Sequence, residues 1–131
     1  MLITRLIILV SMLAMHVIGD WVLQTPLMCD LKQKAWWQQN YGFQKNARDY
    51  KMVILMHSML WSACVMMPVL VYQLWIGCSD LKAIVLLLVF VINMLVHAWI
   101  DDLKANKDKL SLVDDHAVHL LQVAIIFFFF A

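Results

Sequence analysis

The chain has 131 residues, of which 64% are hydrophobic and only 15% are charged, and its formal net charge is +1. Soluble domains are about 45–50% apolar and about 25% charged, and a chain this short has too much surface to bury such an excess. The composition therefore argues against a soluble domain and predicts a membrane protein in contact with the lipid bilayer. The low net charge also argues against a nucleic-acid partner, because there is no basic surplus to neutralise phosphates.

Four apolar segments are long enough to cross a bilayer, which takes about 17–25 residues. They predict helices over residues 2–24, 52–76, 83–101 and 112–131. Thr25-Pro26 ends the first helix, because the residue before a proline disfavours the helical conformation. Ser111 and Asp114 form a capping-box pattern at the start of the fourth. The predicted fold is all-α, a single polytopic domain whose four transmembrane helices form an up-down-up-down bundle.

The only long polar stretch, residues 30–50, mixes aromatic and basic side chains such as Trp36, Trp37 and Lys45. This mixture is typical of the lipid headgroup region, so we expect an interfacial helix here, with a solvated loop as the alternative. Eight of the ten Lys and Arg residues lie in the first and third connections, and the other two are Arg5 and Lys82. The positive-inside rule then predicts that these two connections are cytoplasmic and that both termini lie on the outer side.

The ionisable residues inside the predicted helices form three His/Asp pairs at a spacing of four. The pairs are His16 with Asp20, His97 with Asp101, and Asp115 with His119. Residues four apart share a helix face, and the fourth helix needs the reversed order because it runs antiparallel to the first and third. His57, near the start of the second helix, falls at the same end of the bundle. The sequence thus predicts a His layer over an Asp layer, close to the cytoplasmic boundary.

Ionisable groups at bilayer depth cost about 2.5–3.5 kcal/mol each on insertion scales, so they indicate a functional site. Imidazole and carboxylate groups are the usual protein ligands of divalent transition metals. We therefore predict a divalent-metal site, with zinc or manganese as the metal. The candidate ligands are His16, His57, His97, His119, Asp20, Asp101 and Asp115. The alternatives are a proton or ion relay, haem ligation, and a structural lock of paired polar side chains.

Several of these residues belong to a longer pattern. It consists of H-V-I-G-D-W-V-L-Q-T at residues 16–25, His57, H-A-W-I-D-D-L-K at residues 97–104, and D-H-A-V-H at residues 115–119. The pattern resembles the domain-of-unknown-function family 3307, which comprises small integral membrane proteins of bacteria and phages. The sequence departs from that family at His116, where the family usually has Gln. The resemblance implies a bacterial inner-membrane protein and supports the motif residues, but the family has no established activity.

The expected function is metal-dependent hydrolysis of a phosphoester or lipid-linked substrate that enters from the cytoplasmic leaflet. The metal would activate a water molecule, one of Asp20, Asp101 and Asp115 would accept its proton, and Lys104 would hold an anionic group. One alternative is a metal or proton conduit, which needs polar residues that continue to the far side. Another is a phage-type membrane effector, holin-like or an exclusion protein, with a structural polar cluster. The roles of His116 and Gln24 and assembly into a homo-oligomer stay open.

Overall fold

The computed structural model describes residues 1–42 and 48–131 of the chain, and within these ranges it contains helices and no strand. The part of the predicted interfacial segment around Lys45, residues 43–47, lies outside the described residues. The α-helices of the described part are α1 (Leu2–Val17), α2 (Pro26–Leu31), α3 (Lys34–Tyr41), α4 (Asp49–Ile76), α5 (Asp80–Lys107) and α6 (Leu112–Phe130).

Four helical stretches of the described residues are long and apolar enough to cross a membrane. They are Leu2–Val22, Asp49–Ile76, Asp80–Lys107 and Leu112–Phe130. Their outer faces carry large exposed apolar side chains, including Leu87, Leu88, Phe128 and Phe129. Exposed apolar surface on this scale is unfavourable in water and is expected where a helix faces lipid. The prediction of an all-α, multi-pass membrane protein is therefore confirmed.

The spanning helices pack in a ring in which α4 contacts α1 and α5, and α6 contacts α5 and α1. At the end of the bundle opposite Asp20, the Gln73 side-chain amide donates to the Phe130 carbonyl over 2.6 Å, so α4 and α6 finish together. The Arg5 guanidinium lies 5.7 Å from the centre of the Phe127 ring, so α1 starts where α6 finishes. These contacts give the up-down-up-down arrangement.

Helix α5 continues beyond the end of its apolar pattern. The prediction ended this helix at residue 101, but α5 runs to Lys107 and stops at Asp108, which has a left-handed backbone (φ 51°). A hydropathy pattern detects only the part of a helix that meets lipid or core, so the polar extension was missed. As a result, Asp101 and Lys104 lie one turn apart on one continuous helix.

Helix α1 ends in a π-helical turn, Ile18–Val22, that the sequence did not predict. Gly19 in this turn packs directly against Trp61 of α4, since a Cβ atom at Gly19 would lie 3.0 Å from Trp61 Cδ1. The missing side chain lets the two helices approach closely. Single π-helical turns occur frequently at functional sites, and this one contains Asp20.

The connection between α1 and α4 holds two short helices, α2 and α3, where the sequence predicted one interfacial helix. Thr25 caps α2 by accepting a hydrogen bond from the Met28 amide at 3.3 Å. Asn106 of α5 then joins the two helices to the bundle: its amide donates to the Lys32 carbonyl at 3.1 Å, and its Oδ1 accepts from the Lys34 amide at 2.6 Å. The segment 25–41, called here the α2–α3 segment, therefore packs against the end of α5.

The bundle interior has two parts. The end away from the predicted His/Asp pairs, called here the apolar end, is filled by the buried side chains of Ile8, Met12, Val65, Met66, Val69, Leu86, Val123 and Ile126. A hydrogen-bonded layer follows toward the other end. In it, Asn93 donates to the Ser62 hydroxyl at 3.2 Å, and the Gln122 amide donates to Asn93 Oδ1 at 2.7 Å. Beyond this layer lie the predicted site residues.

Candidate metal centre

The structure brings every predicted metal ligand into one group at the end of the bundle where α1 finishes and α4 starts. This group, called here the His/Asp cluster, also includes His116. Its members are His16, Asp20, His57, His97, Asp101, Asp115, His116 and His119. The reversed order of the pair on α6 does place Asp115 and His119 beside the pairs from α1 and α5, as antiparallel packing requires.

Asp20 lies at the centre of the cluster because four imidazole rings surround its carboxylate. Its Oδ1 is 3.3 Å from His57 Nε2, and its Oδ2 is 3.2 Å from His119 Nδ1. Its Oδ2 is also 3.8 Å from His16 Nδ1 and 3.9 Å from His116 Nδ1. The carboxylate is almost fully buried, with 7% of the side chain exposed. The π-helical turn of α1 is the element that carries it there.

Asp101 and Asp115 differ from Asp20 because each forms an ion pair with a lysine. Lys32 Nζ lies 2.6 Å from Asp101 Oδ2, and Lys104 Nζ pairs with Asp115 Oδ2. Sequence reasoning chose Lys104 but missed Lys32, which is buried at the end of α2. A signal for it did exist: three buried carboxylates near a membrane need more than one nearby cation, because buried charges are paired.

Trp61 is a second residue that the sequence analysis missed. Its indole is fully buried and stacks on the His97 ring, with the ring centres 4.3 Å apart. The His97 ring stacks in turn on His119, at 4.1 Å and an interplanar angle of 18°. Trp61 also donates a hydrogen bond from Nε1 to His16 Nδ1 at 3.1 Å. It therefore forms the floor of the cluster and fixes the positions of three imidazole rings.

The hydrogen bond from Trp61 determines which His16 nitrogen carries the proton. An indole N–H can only donate, so His16 Nδ1 must accept. In neutral imidazole one nitrogen accepts and the other carries the proton. The His16 proton therefore lies on Nε2, and the lone pair of Nδ1 is already engaged. Of the predicted histidine ligands, His16 is the least available to a metal in this arrangement.

Many of the other nitrogen and oxygen atoms that could bind a metal have no hydrogen-bond partner within the described part of the chain. Ten buried side-chain nitrogen and oxygen atoms of the described residues are in this state, and eight of them belong to the cluster. These eight are Asp20 Oδ2, His57 Nδ1, His97 Nδ1 and Nε2, Asp115 Oδ1, His116 Nε2, and His119 Nδ1 and Nε2. Roughly 90% or more of buried polar groups in proteins are paired, so this concentration indicates unused binding capacity.

The spacing of these donor atoms is suitable for one metal ion. Four sets of three described residues each offer ligand atoms within 4.8 Å of one another, and two of these sets, Asp20 with His57 and His97, and His97 with Asp101 and His119, share His97. Ligand atoms on one tetrahedral zinc lie about 3.3 Å apart, given metal–ligand bonds of about 2.0–2.1 Å. The separation of 3.2 Å from Asp20 Oδ2 to His119 Nδ1 is close to that value, whereas Asp20 Oδ1 is hydrogen-bonded to His57 Nε2 at 3.3 Å.

A cavity of about 250 Å³ leads into the cluster from the side of the α2–α3 segment. It is lined by Asp20, Trp21, Gln24, Cys29, Asp101, Lys104, Leu112, Asp115 and His116. All three carboxylates line it, whereas the buried rings of His57, His97 and His119 do not. The three carboxylates are therefore nearer the opening than these three rings. Gln24 and His116, whose roles the sequence left open, both line the cavity.

No family model matches the chain, and no curated protein or solved structure matches it either. The resemblance to family 3307 therefore stays a prediction from its motifs.

Proposed function

We propose that the protein binds a divalent metal, zinc or manganese, in the His/Asp cluster and hydrolyses a phosphoester there, either soluble or lipid-linked. The observation that carries this proposal is the group of eight buried, unpaired nitrogen and oxygen atoms in the cluster. Apart from the approach of Asp20 Oδ2 to His119 Nδ1 at 3.2 Å, contacts within the cluster do not account for them, and each unpaired buried group costs about 1–3 kcal/mol. A metal ion would satisfy several of them at once, because neutral imidazole and carboxylate are its natural ligands.

The proposed ligands are His57, His97, His119 and Asp20. Three of them have ring nitrogens without a hydrogen-bond partner among the described residues, and Asp20 lies within 3.3 Å of His57 and His119. His16 takes a different role, because its Nδ1 accepts from Trp61. By accepting this hydrogen bond it holds the Trp61 indole against the His97 and His119 rings, in the manner of the outer groups that fix metal ligands in other proteins.

The remaining residues suit hydrolysis. The metal would polarise a water molecule or a phosphoryl oxygen. Asp101 and Asp115 line the cavity beside the proposed ligands, so either carboxylate can accept a proton there. The Lys104 side chain, which is 35% exposed, lies on the cavity wall and supplies a cation for an anionic substrate.

The conduit hypothesis is disfavoured by the interior of the bundle. Beyond the layer of Ser62, Asn93 and Gln122, the buried side chains of the described residues are apolar except for Gln73, which is hydrogen-bonded to the Phe130 carbonyl. Ions and protons need polar groups or water along their path across a bilayer. The cluster instead opens through the cavity at its own end, as a site for a substrate requires. A purely structural lock is disfavoured by the unpaired atoms, since a lock is stabilising only when its members satisfy one another.

We also propose that the cavity faces the cytoplasm in a bacterial inner membrane, with both termini on the periplasmic side. The support is the excess of Lys and Arg in the connections on the cavity side. A variant whose only cysteine is introduced by Lys109→Cys should resist a membrane-impermeant thiol reagent added to intact cells. A second variant, whose only cysteine is the natural Cys78 in the turn between α4 and α5, should be labelled. The opposite labelling pattern would reverse the orientation.

The metal itself is tested by elemental analysis and thermal unfolding of the detergent-purified protein. We expect close to one equivalent of metal, a lower Tm after chelation, and recovery when zinc or manganese is added, since a ligand that binds only the folded state stabilises it. The double variant His97→Asn/Asp101→Asn keeps its hydrogen-bonding groups but should bind no metal and ignore both treatments. A wild-type protein that contains no metal and has a Tm insensitive to chelator and metal would contradict the proposal.

A further inference from the structure

The charges around the cavity are unusual for a site that takes only a cation. The three carboxylates of the cluster are accompanied by Lys32 and Lys104, each paired with one of them. With neutral imidazoles, the cluster is one charge negative, and one divalent metal makes it one charge positive. A lysine beside a carboxylate weakens the attraction of that carboxylate for a metal. The same lysine favours an anion once the metal is bound.

Lys32 occupies a position from which it acts on the cavity without lining it. Its Nζ lies 2.6 Å from Asp101 Oδ2 and 3.0 Å from Gln24 Oε1, and both of these residues line the cavity. The lysine side chain is only 4% exposed. Only the Asp101 side chain separates the Lys32 charge from the proposed metal ligands. With little water between them, this charge interacts strongly with the site because the effective dielectric is low.

We propose that Lys32 determines specificity: its ammonium group behind Asp101 weakens metal binding and makes the metal-loaded cavity selective for a phosphate group. This inference rests on the proposed function and adds the substrate class and a residue that sets it. Lys104 contacts the phosphate from the cavity wall, and Lys32 acts from behind Asp101. The bound group is a phosphate monoester or phosphate itself, whose double negative charge suits a metal flanked by two lysines.

A merely structural role for Lys32 makes a different prediction. Lys32 also belongs to the α2–α3 segment, and its carbonyl accepts from Asn106 at 3.1 Å. If the Lys32 side chain only holds this segment in place over the cluster, its loss makes the whole site less ordered. Metal and phosphate then both bind more weakly. If Lys32 acts by its charge, its loss strengthens metal binding and weakens phosphate binding. The opposite signs separate the two roles.

The experiment compares wild type with Lys32→Met, which keeps the apolar stem, and with Lys34→Met as a control. Lys34 is an exposed lysine two residues away on α3. Manganese affinity is measured by titration calorimetry, and phosphate affinity by equilibrium dialysis of the manganese-loaded protein. We expect Lys32→Met to bind manganese about tenfold more tightly and phosphate about tenfold more weakly, as the loss of a nearby buried charge implies. Lys34→Met should match wild type in both.

Two further arms complete the test. Lys32→Gln can still hydrogen-bond to Asp101 and Gln24, so it replaces Lys32→Met if that variant does not fold. Lys32→Arg keeps the positive charge and should bind phosphate as wild type does. Nanodiscs with phosphatidic acid, compared with phosphatidylcholine alone, distinguish a lipid headgroup from free phosphate, and binding of either supports the inference. Weaker manganese binding by the neutral variants, unchanged phosphate affinity, or no phosphate binding from either source overturns it while leaving the metal site intact. A wild type that binds no manganese overturns both proposals.

Discussion

The apolar end of the bundle and the end that holds the His/Asp cluster are both well buried, but they differ in what fills them. At the apolar end, side chains such as Met12, Val65 and Val69 are fully buried. At the other end, His57, His97 and His119 are equally buried and lie beside carboxylates. The same helices therefore contribute close packing at one end and unpaired polar atoms at the other.

This difference separates stability from function along the bundle axis. In lipid there is no hydrophobic driving force for helices to associate, so packing and hydrogen bonds between helices hold them together. The apolar end and the layer of Ser62, Asn93 and Gln122 supply both. The cluster leaves buried atoms unpaired, at a cost in stability, which is the pattern expected where a site is kept for binding. Substitutions in the cluster should therefore change metal binding more than folding, and substitutions elsewhere should do the reverse.

The largest effect is expected for Asp20→Asn. Asparagine keeps the shape and some hydrogen bonds but removes the charge that four imidazole rings share. Loss of outer groups around a metal typically costs 10–100-fold in affinity, so loss of a direct ligand should cost about 100-fold or more. The metal-free protein should unfold at a temperature close to that of wild type. The matched control is Asp102→Asn, which removes a carboxylate that pairs with Lys107. Equal metal affinity in the two variants would place Asp20 outside the site.

The next effect concerns the junction between the two ends. Gly19→Val adds a side chain that meets Trp61, since even a Cβ atom would lie 3.0 Å from Trp61 Cδ1 and 3.4 Å from its Cα. Overpacking of this kind typically costs about 1–3 kcal/mol. We expect a fall of that size in the unfolding free energy, measured by chemical denaturation without metal. Ala14→Val, on an exposed position of the same helix, should be nearly neutral. A neutral Gly19→Val would show that α1 and α4 have room to separate.

The sequence predicted those parts of the site that helix periodicity and antiparallel packing determine. Spacing alone placed Asp101 beside His97 and Asp115 beside His119. The order of the spans then placed these pairs at the same end as Asp20. Such predictions work because residues within one helix have fixed relative positions, and because a ring of antiparallel helices brings alternate ends together.

The sequence could not predict contacts that depend on the path of an irregular segment. Lys32 meets Asp101 across 69 positions of sequence, through the turn after α1 and the short helix α2. The π-helical turn at Ile18–Val22 also has no periodic signal, because it adds one residue to a single turn. Trp61 resembles any apolar residue of a spanning helix, and only packing shows that it faces three imidazole rings.

A smaller effect is expected in the polar layer between the two ends. Gln122→Met keeps the length of the side chain but removes the donor to Asn93, which it reaches at 2.7 Å through Oδ1 and at 3.0 Å through the carbonyl. Hydrogen bonds between membrane helices contribute about 0.6 kcal/mol on average and about 1.7 kcal/mol at most. We expect a loss of about 1 kcal/mol in unfolding free energy and an unchanged metal affinity. Gln39→Met, on an exposed position of α3, should alter neither quantity. A large change in metal affinity would mean that this layer belongs to the site.

Among substitutions within the cluster, the smallest loss of metal affinity is expected for His16→Gln, and it tests the boundary of the cluster most sharply. The Gln side-chain oxygen can accept the hydrogen bond that Trp61 donates to His16 Nδ1, so the floor of the cluster should be preserved. If His16 only supports Trp61, metal affinity should fall about tenfold at most, as for groups that support a metal ligand. His119→Gln is the matched control, because it makes the same change at a ring whose two nitrogens have no hydrogen-bond partner among the described residues. That variant should lose about 100-fold or more, by the argument given for Asp20. If the two variants lost affinity equally, the metal would bind His16 directly, and the hydrogen bond from Trp61 would have to break when the metal binds.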